Sequence, residues 1–203
     1  MRVITFDGCV GVGKTTIILK LLQRLIEKYN YSCIVIHEYI DVLPDAEQML
    51  SDYLNNTISS YQFQNYILDY YDQQSKLIKD DIVDFVLVER SPIEGIINFA
   101  KLDLLNNRLT NEEYKQLLTK AESLDFYPNI TYDNSFTIDT AQFTIPYTIN
   151  IIDDLITRFP FFSVIRLRAD SSTIKERIIK RGRECEVKHY TDDYIKNMLN
   201  TYI

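Results

Sequence analysis

The sequence predicts an α/β fold of three layers, with a central parallel sheet between two layers of helices. Four short apolar runs do not alternate with polar residues, as is typical of parallel strands that are covered on both faces. Amphipathic patterns of helix length separate these runs, and strands that alternate with helices favour right-handed crossovers. A glycine-rich turn joins the first run to the first helical pattern.

The elements follow in chain order from these patterns. The apolar runs place strands at 3–6, 33–36, 85–88 and 163–167. Apolar residues three and four positions apart place helices at 15–29, 45–54, 58–80, 93–106, 111–123, 172–181 and 191–202. The segment 125–146 departs from this alternation, because β-branched and aromatic residues surround Asp133, Asn134 and Ser135. That pattern predicts a surface insertion that resembles a hairpin.

Size and composition exclude several classes of protein. The 203 residues, 46% of them hydrophobic, predict a single domain over 1–203. A formal net charge of −7 argues against nucleic acid as the main partner but allows a small anion at a local site. We expect no membrane span and no signal peptide, because no apolar run approaches ~20 residues and the chain opens on a strand pattern. The three cysteines have neither disulfide nor metal-ligand spacing, which favours the cytoplasm.

A phosphate-binding motif follows the first predicted strand. Residues 8–15 fit G-x-x-x-x-G-K-[ST] between a strand and a helix, the context that this motif requires. Backbone N–H groups of such a loop converge on phosphate oxygens, Lys14 is expected to reach the β- and γ-phosphates, and the Thr15 hydroxyl is expected to bind Mg²⁺. The loop part of the predicted ATP site is Gly8, Cys9, Val10, Gly11, Val12, Gly13, Lys14, Thr15 and Thr16.

Polar residues also follow the second and third strands, where they are expected at the same edge of the sheet. His37 and Glu38 come after 33–36, and Glu89 and Arg90 come after 85–88. A carboxylate after the second strand, such as Glu38, can accept a proton from an attacking hydroxyl. A carboxylate after the third strand, such as Glu89, can complete the ligand shell of a metal ion. Both places are candidate site positions.

A basic segment near the end of the chain predicts a lid over the phosphates. Arg177 and Arg181 lie one helical turn apart, and Gly182 permits a bend before Arg183. Arginines supplied by the same chain can neutralise the charge on a transferring phosphoryl group. These three arginines complete the predicted ATP site.

In combination, these features resemble the deoxynucleoside kinase family over most of the chain outside about 124–160. The further matches are Tyr53 with the segment 63–66, Phe99 beyond Glu89-Arg90-Ser91, and Glu186 at the end of the arginine segment. The resemblance implies a P-loop kinase fold with an arginine lid and four parallel strands. A fifth strand is left open, because many members continue beyond the point at which this chain stops. It also implies ATP-dependent phosphorylation of the 5′-hydroxyl of a deoxynucleoside.

The resemblance assigns roles to individual residues. Glu38 resembles the general base, Arg90 its helper, and Lys14 the third catalytic group. Glu89, with Thr15, resembles a Mg²⁺ ligand. For the substrate, Tyr53 and Glu186 look like the pair that holds the sugar 3′-hydroxyl, Gln64 looks like the amide that reads the base edge, and Phe99 looks like the ring that stacks on the base.

The residues around Gln64 lead to a prediction of substrate preference. Ile67, Leu68 and Tyr71 follow Gln64 at helical spacing, so they should share its pocket wall. The bulk of Tyr71 favours a base with a single ring, and Gly95 leaves room for a substituent such as the thymine methyl. We therefore expect pyrimidine deoxynucleosides, with thymidine ahead of deoxycytidine.

Two departures from the family put parts of the site in doubt. Tyr39 and Leu43 stand where members usually have Pro and Trp, so the wall around sugar and base is remodelled. The segment 125–146 is also longer than the usual connection.

Two alternative functions remain. A thymidylate or other nucleoside monophosphate kinase shares the loop and the lid, but a monophosphate acceptor needs guanidinium groups, and no arginine lies between Arg24 and Arg90. The other alternative is a P-loop switch or assembly protein that binds ATP without phosphorylating a small molecule. The kinase hypothesis implies ATP and Mg²⁺ as cofactors and a nucleoside as partner, and we also expect a homodimer. Enrichment in isoleucine, asparagine and tyrosine hints at a large DNA virus, in which case the location is the host cytoplasm.

Overall fold

The computed structural model describes residues 1–78, 82–124, 135–159 and 164–202. Within these ranges, five parallel strands form one sheet in the order β2-β3-β1-β5-β4. The strands are β1 (Arg2–Asp7), β2 (Cys33–Ile36), β3 (Phe85–Glu89), β4 (Ser135–Asp139) and β5 (Val164–Arg168).

Helices connect the strands and flank the sheet. The described helices are α1 (Lys14–Tyr29), α2 (Ala46–Leu54), α3 (Ser60–Ile78), α4 (Pro92–Gly95), α5 (Lys101–Leu105), α6 (Asn111–Glu122), α7 (Ile145–Arg158), α8 (Ser171–Arg181), α9 (Glu184–His189) and α10 (Asp192–Thr201). A π-helical turn, Ile96–Ala100, joins α4 to α5, and a 3₁₀ turn, Tyr39–Asp41, follows β2. π-turns are often found at functional sites.

Apolar side chains pack on both faces of the sheet. Alternate residues of β3 contribute to two cores, because Leu87 joins the first and Val86 and Val88 join the second. Side chains from α1, α7, α8 and α10 cover the first core, and side chains from α3, the π-turn and α6 cover the second. The three-layer prediction is confirmed.

The four predicted strands are confirmed, and the strand left open is present. This fifth strand, β4, comes from within the segment 125–146 and not from a continuation at the end of the chain. It pairs in parallel with β5, with Phe136 opposite Ile165. The predicted hairpin-like insertion stays a prediction, because residues 125–134 lie outside the described ranges. The sequence did not, however, predict that residues 135–139 form a strand of the main sheet.

The physical reason is that β-branched and aromatic residues indicate a strand without identifying its partner. A hairpin needs a neighbouring antiparallel strand, whereas β4 pairs with a strand that comes later in the chain, across α7. The sequence prediction also missed α7 itself, which starts with Pro146 in its first turn, a place where the missing N–H costs nothing.

The register of the sheet brings three loop starts together. Phe6 of β1 lies opposite Glu89 of β3, and Ile36 of β2 lies opposite Val88. The carboxyl ends of these strands therefore meet at one edge, where α/β sheets usually bind their ligands.

Candidate active site

The phosphate-binding loop connects β1 to α1 and needs glycine for steric reasons. Gly8 has a φ of +141°, and a Cβ there would lie 2.4 Å from the carbonyl oxygen of Leu167. A Cβ at Gly11 would lie 3.1 Å from the carbonyl oxygen of Ile174 in α8. The loop is thus packed directly against β5 and against the helix that carries the lid arginines. Cys9 in this loop is buried, and burial raises the pKa of its thiol to about 12.

Lys14 is buried and contacts both the loop and Glu38. Its Nζ donates to the carbonyl oxygens of Gly8 and Cys9 at 3.2 and 3.4 Å and lies 3.1 Å from Glu38 Oε1. The predicted phosphate ligand and the predicted base are therefore neighbours.

Glu38 is held between two cations. Arg90 Nε donates at 2.8 Å to Glu38 Oε1, the same oxygen that Lys14 Nζ contacts. Burial alone would raise the pKa of Glu38, but the charges of Arg90 and Lys14 outweigh burial and lower the pKa to about 2. The carboxylate is ionised at neutral pH and can accept a proton.

The backbone at Arg90 adopts an uncommon conformation that neighbouring residues hold in place. Its φ is +69°, in the left-handed region, and its amide donates to the carbonyl oxygen of Phe6 at 3.0 Å. The next amide, of Ser91, donates to Asp7 Oδ1 at 2.8 Å, and the Ser91 hydroxyl accepts from the amide of Glu94 to cap α4. These hydrogen bonds therefore fix the turn after β3, from which the side chain of Arg90 extends to Glu38.

Thr15 and Glu89, the two residues predicted to bind Mg²⁺, are joined by a hydrogen bond. The Thr15 hydroxyl donates to Glu89 Oε1, and Glu89 Oε2 is buried without a hydrogen bond from any described residue. His37 Nδ1 lies 3.5 Å from that oxygen, and contact with the carboxylate raises the pKa of His37. An orphaned buried carboxylate oxygen beside a hydroxyl fits Mg²⁺, which binds few protein groups and keeps water and phosphate ligands. The described ranges hold no cluster of three or more His, Cys, Asp or Glu side chains placed to bind a metal.

A cavity of about 610 Å³ lies above the loop and contains the three lid arginines at its wall. Arg177 Nη1 donates to the carbonyl oxygen of Val12 at 2.8 Å and to Thr140 Oγ1 at 3.1 Å. Arg177 therefore ties α8 to the loop and to the turn after β4. This volume is in the range of small-molecule sites.

The other two lid arginines pair with carboxylates that lie outside the phosphate-binding loop. Arg181 forms an ion pair with Glu186, and Arg183 forms one with Asp41 and lies 3.5 Å from Glu186. Gly182, with a φ of +76°, ends α8 between them. All three lid arginines line the same cavity as the loop, but Arg181 and Arg183 are paired with carboxylates, and the binding of a triphosphate by the lid stays a prediction.

A second, narrower cavity of about 70 Å³ adjoins the first, and Glu38 and Val10 line both. The cavity is mostly apolar and brings together every residue that was predicted to bind substrate. These residues are Glu38, Tyr53, Gln64, Ile67, Tyr71, Arg90, Gly95, Phe99 and Glu186.

The wall of the narrow cavity combines a buried amide with a fixed ring. Gln64 lines the cavity and is 3% exposed. The Tyr71 hydroxyl donates to the carbonyl oxygen of Glu89 at 3.0 Å, which fixes its ring. A Cβ at Gly95 would have Arg90 Cδ, at 3.9 Å, as its nearest neighbour, so there is space at this position. The Phe99 ring lies under the Arg90 guanidinium at 4.7 Å.

The Tyr53 hydroxyl is not directed to Glu186. It donates to both carboxylate oxygens of the buried Asp103, at 3.0 and 2.9 Å, and Asp103 also accepts from Ser60. The Arg108 guanidinium lies 4.4 Å from the Tyr53 ring. Binding of the sugar 3′-hydroxyl by Tyr53 stays a prediction. The Tyr53 hydroxyl would have to bind the sugar in addition to Asp103 or in its place.

The sequence analysis did not identify several residues of the two cavities. Asp103, which lines neither cavity but accepts from the Tyr53 hydroxyl, was also missed, although it is an acidic residue one helical turn after Phe99. The missed lining residues come from segments whose placement depends on distant pairing. They are Thr140 and Phe143 after β4, and Tyr190 and Tyr194 beside α9 and α10.

Comparison with known proteins assigns this arrangement to a family. The sequence model of the family described as deoxynucleoside kinase matches residues 4–138, which is more than half of the chain. The chain belongs to the deoxynucleoside kinase family. This deoxynucleoside kinase is an enzyme that phosphorylates nucleosides, and its family implies ATP as the phosphate donor.

The deoxynucleoside kinase has a viral relative and solved structural neighbours. Protein 143R of Invertebrate iridescent virus 6, predicted to be a kinase, is 27% identical over 205 residues, covering 100% of this chain and 80% of the relative. The structure of deoxyadenosine kinase from M. mycoides with bound dATP has a TM-score of 0.59 and 22% identity, covering 100% of this chain and 82% of that one. The same enzyme with dCMP and dCDP bound has a TM-score of 0.58 and 21% identity, covering 100% and 81%. The structural likeness shows a shared fold. None of the helices in the described ranges has the length and apolar character of a membrane span.

Proposed function

We propose that this enzyme transfers the γ-phosphoryl group of ATP to the 5′-hydroxyl of a pyrimidine deoxynucleoside, with thymidine ahead of deoxycytidine. The observation that carries the proposal is the position of Glu38, which lines both cavities at once. A donor in the wide cavity and an acceptor in the narrow one would meet at this carboxylate. Phosphoryl transfer depends mainly on holding the donor and the acceptor in line, and it requires little covalent chemistry from the protein.

Charge supports a neutral acceptor. The described lining of the narrow cavity has one guanidinium, Arg90, and it is already paired with the carboxylate of Glu38. Glu186 adds a second carboxylate to the same lining. A nucleoside monophosphate carries about two negative charges that this lining would repel, so a nucleoside fits better than a monophosphate.

Glu38 would act as the base once Lys14 turns to the phosphates. While both cations contact it, its pKa of about 2 makes it a weak proton acceptor. Binding of the ATP phosphates would draw the Lys14 ammonium away, which raises the pKa of Glu38 and improves its basicity. Arg90 would remain at 2.8 Å and keep the carboxylate aimed at the 5′-hydroxyl.

Thr15 and Glu89 would hold Mg²⁺, since the buried Glu89 Oε2 has no hydrogen bond from a described residue. A cation held there would supply positive charge next to the phosphates. Arg177, Arg181 and Arg183 would contribute further positive charge on the lid side. The exposed ring of Phe143, which lines the wide cavity, is placed to stack on the adenine of ATP.

The base preference depends on this chain's own narrow cavity. The M. mycoides enzyme is described with dATP in one structure and with dCMP and dCDP in the other, so a protein of this fold accommodates both purine and pyrimidine nucleotides. Here Gln64 supplies a donor and an acceptor for one base edge, and Tyr71 limits depth. Space at Gly95 favours a substituent on the base, as in thymine.

A coupled assay of ADP release tests the proposal. We expect nucleoside-dependent release with thymidine, less with deoxycytidine, and little with deoxyadenosine or deoxyguanosine, measured as kcat/KM. Thymidine monophosphate serves as the control. A purine preference would contradict the pocket argument and leave the kinase in place. Turnover of the monophosphate alone would favour a monophosphate kinase, and ADP release that ignores all nucleosides would favour a nucleotide switch. Sedimentation of the same sample tests the expected homodimer.

A further inference from the structure

The last residue of the described chain reaches the catalytic arginine. Tyr202 follows α10, and its phenol oxygen accepts a hydrogen bond from Arg90 Nη1. Its ring meets Phe99 edge-on, with centroids 6.3 Å apart and planes at 84°. The carbonyl oxygen of Tyr202 accepts from Arg168 Nη2 at 3.3 Å, which ties this end of the chain to β5. Tyr202 therefore contacts two residues of the narrow cavity from behind.

The hydrogen bond to Tyr202 adds a third contact to the Arg90 guanidinium. Nε is committed to Glu38, and one face of the guanidinium lies over Phe99. Neither of these two contacts engages Nη1. A hydrogen bond at Nη1 therefore fixes the other end of the group, because the guanidinium is planar and its donors have a fixed fork geometry.

The chemistry of the phenol suits this position. Burial raises the pKa of Tyr202 above its ordinary value, so the neutral phenol faces the cation. A neutral acceptor holds the guanidinium without competing for its charge, which stays available to Glu38. A carboxylate in the same place would form a second ion pair and weaken the first.

We propose that Tyr202 is a positioning residue, whose phenol oxygen fixes the Arg90 guanidinium in the plane that serves Glu38. The expected effect on kcat rests on the proposed function, whereas the expected coupling in urea unfolding does not. It assigns a part in phosphoryl transfer to α10, which otherwise packs against α8 and contributes Tyr194 to the cavity wall.

Tyr202→Phe is the direct test, because it removes one oxygen and keeps the ring against Phe99. We expect kcat for the best nucleoside to fall roughly tenfold, which is the size of one hydrogen bond to a charged group. KM for ATP should stay within a factor of about two, since the ATP cavity does not include Tyr202. Tyr61→Phe is the matched control, because its hydroxyl contacts Gln116 away from both cavities.

A double-mutant cycle separates positioning from packing. If Tyr202 acts through Arg90, adding Tyr202→Phe to Arg90→Lys should lower kcat no further, and the two changes should also be non-additive in urea unfolding. Additive effects in both measurements would overturn the inference. Unchanged kcat in Tyr202→Phe would overturn it as well. If no nucleoside is phosphorylated by the unmutated enzyme, the proposed function fails, and the unfolding cycle still decides whether Tyr202 and Arg90 are coupled.

Discussion

Lys14 Nζ lies 3.1 Å from Glu38 Oε1, so a group expected to bind phosphate is paired with the group expected to take a proton. Replacing Lys14 with Ala should abolish turnover, because the loop loses the cation that neutralises the phosphates. The fold should persist, since the loop loses two hydrogen bonds from Lys14 to the Gly8 and Cys9 carbonyls but keeps its packing against β5 and α8. Steady-state kinetics and circular dichroism measure the two effects, with exposed Lys20→Ala on the same helix as the control. Near-normal kcat would refute the assignment of the loop.

Glu38→Gln should lower kcat by roughly 10²–10⁴-fold, the usual size of a general-base contribution. The amide keeps the shape of the side chain but cannot accept the proton as a carboxylate does. ATP affinity should change little, and titration calorimetry with a non-hydrolysable ATP analogue measures it. Glu27→Gln on the outer face of α1 is the control. A variant that loses ATP binding alone would show that Glu38 supports the loop and does not act as a base.

Arg177→Ala and Arg183→Ala should each slow phosphoryl transfer, and they should destabilise the fold through different contacts. Arg177 donates to Val12 and Thr140, so its loss should also lower the melting temperature. Arg183 is 14% exposed and pairs with Asp41 and with the buried Glu186, so its loss should lower the melting temperature through lost ion pairs while the contacts of the loop stay intact. Single-turnover kinetics and thermal unfolding measure the two properties, with Lys175→Ala on α8 as the control. Full activity in both variants would exclude the lid.

Gly95→Ala should fill the space that we assign to the thymine methyl. The helical φ at this position accepts a side chain, and the nearest atom to the new Cβ is 3.9 Å away, so stability should change by less than about 1 kcal/mol. We expect kcat/KM for thymidine to fall roughly tenfold relative to deoxyuridine, which lacks the methyl. An unchanged ratio would mean that the methyl lies elsewhere.

Asp7 should make the enzyme less stable as pH rises from about 4 to 7. Burial, reinforced by the Glu94 carboxylate, raises the pKa of Asp7 to about 7 in the folded chain, well above its ordinary value of 3.8. The folded state therefore holds a proton that the unfolded state releases, and stability is greatest below the unfolded pKa and declines through this window. Urea unfolding of Asp7→Asn should show a flatter pH dependence than the unmutated enzyme. Parallel profiles would contradict the shift.

Local motifs made much of the site predictable. The residues of the phosphate-binding motif, Gly8–Thr15, are contiguous in the chain, so the sequence alone identifies the loop. Glu38 and Glu89 were predicted because they follow parallel strands that end at one edge of the sheet. The place of β4 in the main sheet was not predicted, because the choice of strand partner depends on β5, which lies beyond a whole helix.

The partner of Tyr53 was unpredictable for a related reason. The family resemblance assigned its hydroxyl to the sugar, but Asp103 lies 50 residues further on and accepts that hydroxyl only in the folded chain. A carboxylate on an otherwise apolar helix face is a local signal that something polar must meet it. Its sequence position does not reveal which residue that is. The same holds for Tyr202, whose contact with Arg90 spans 112 residues.

The order of strands in the sheet also sets an order of assembly. β4 stands at the outer edge, yet β5, the strand that joins it to β1, comes later in the chain. As the chain emerges from the ribosome, β1, β2 and β3 can pair early, whereas β4 has no neighbour until β5 has been synthesised. The amides of β4 should therefore gain protection from hydrogen exchange last among the strands, and the turn that carries Thr140 and Phe143 should mature with them. The ATP cavity would then be completed late, after β1, β2 and β3 have formed the part of the sheet next to the narrow cavity.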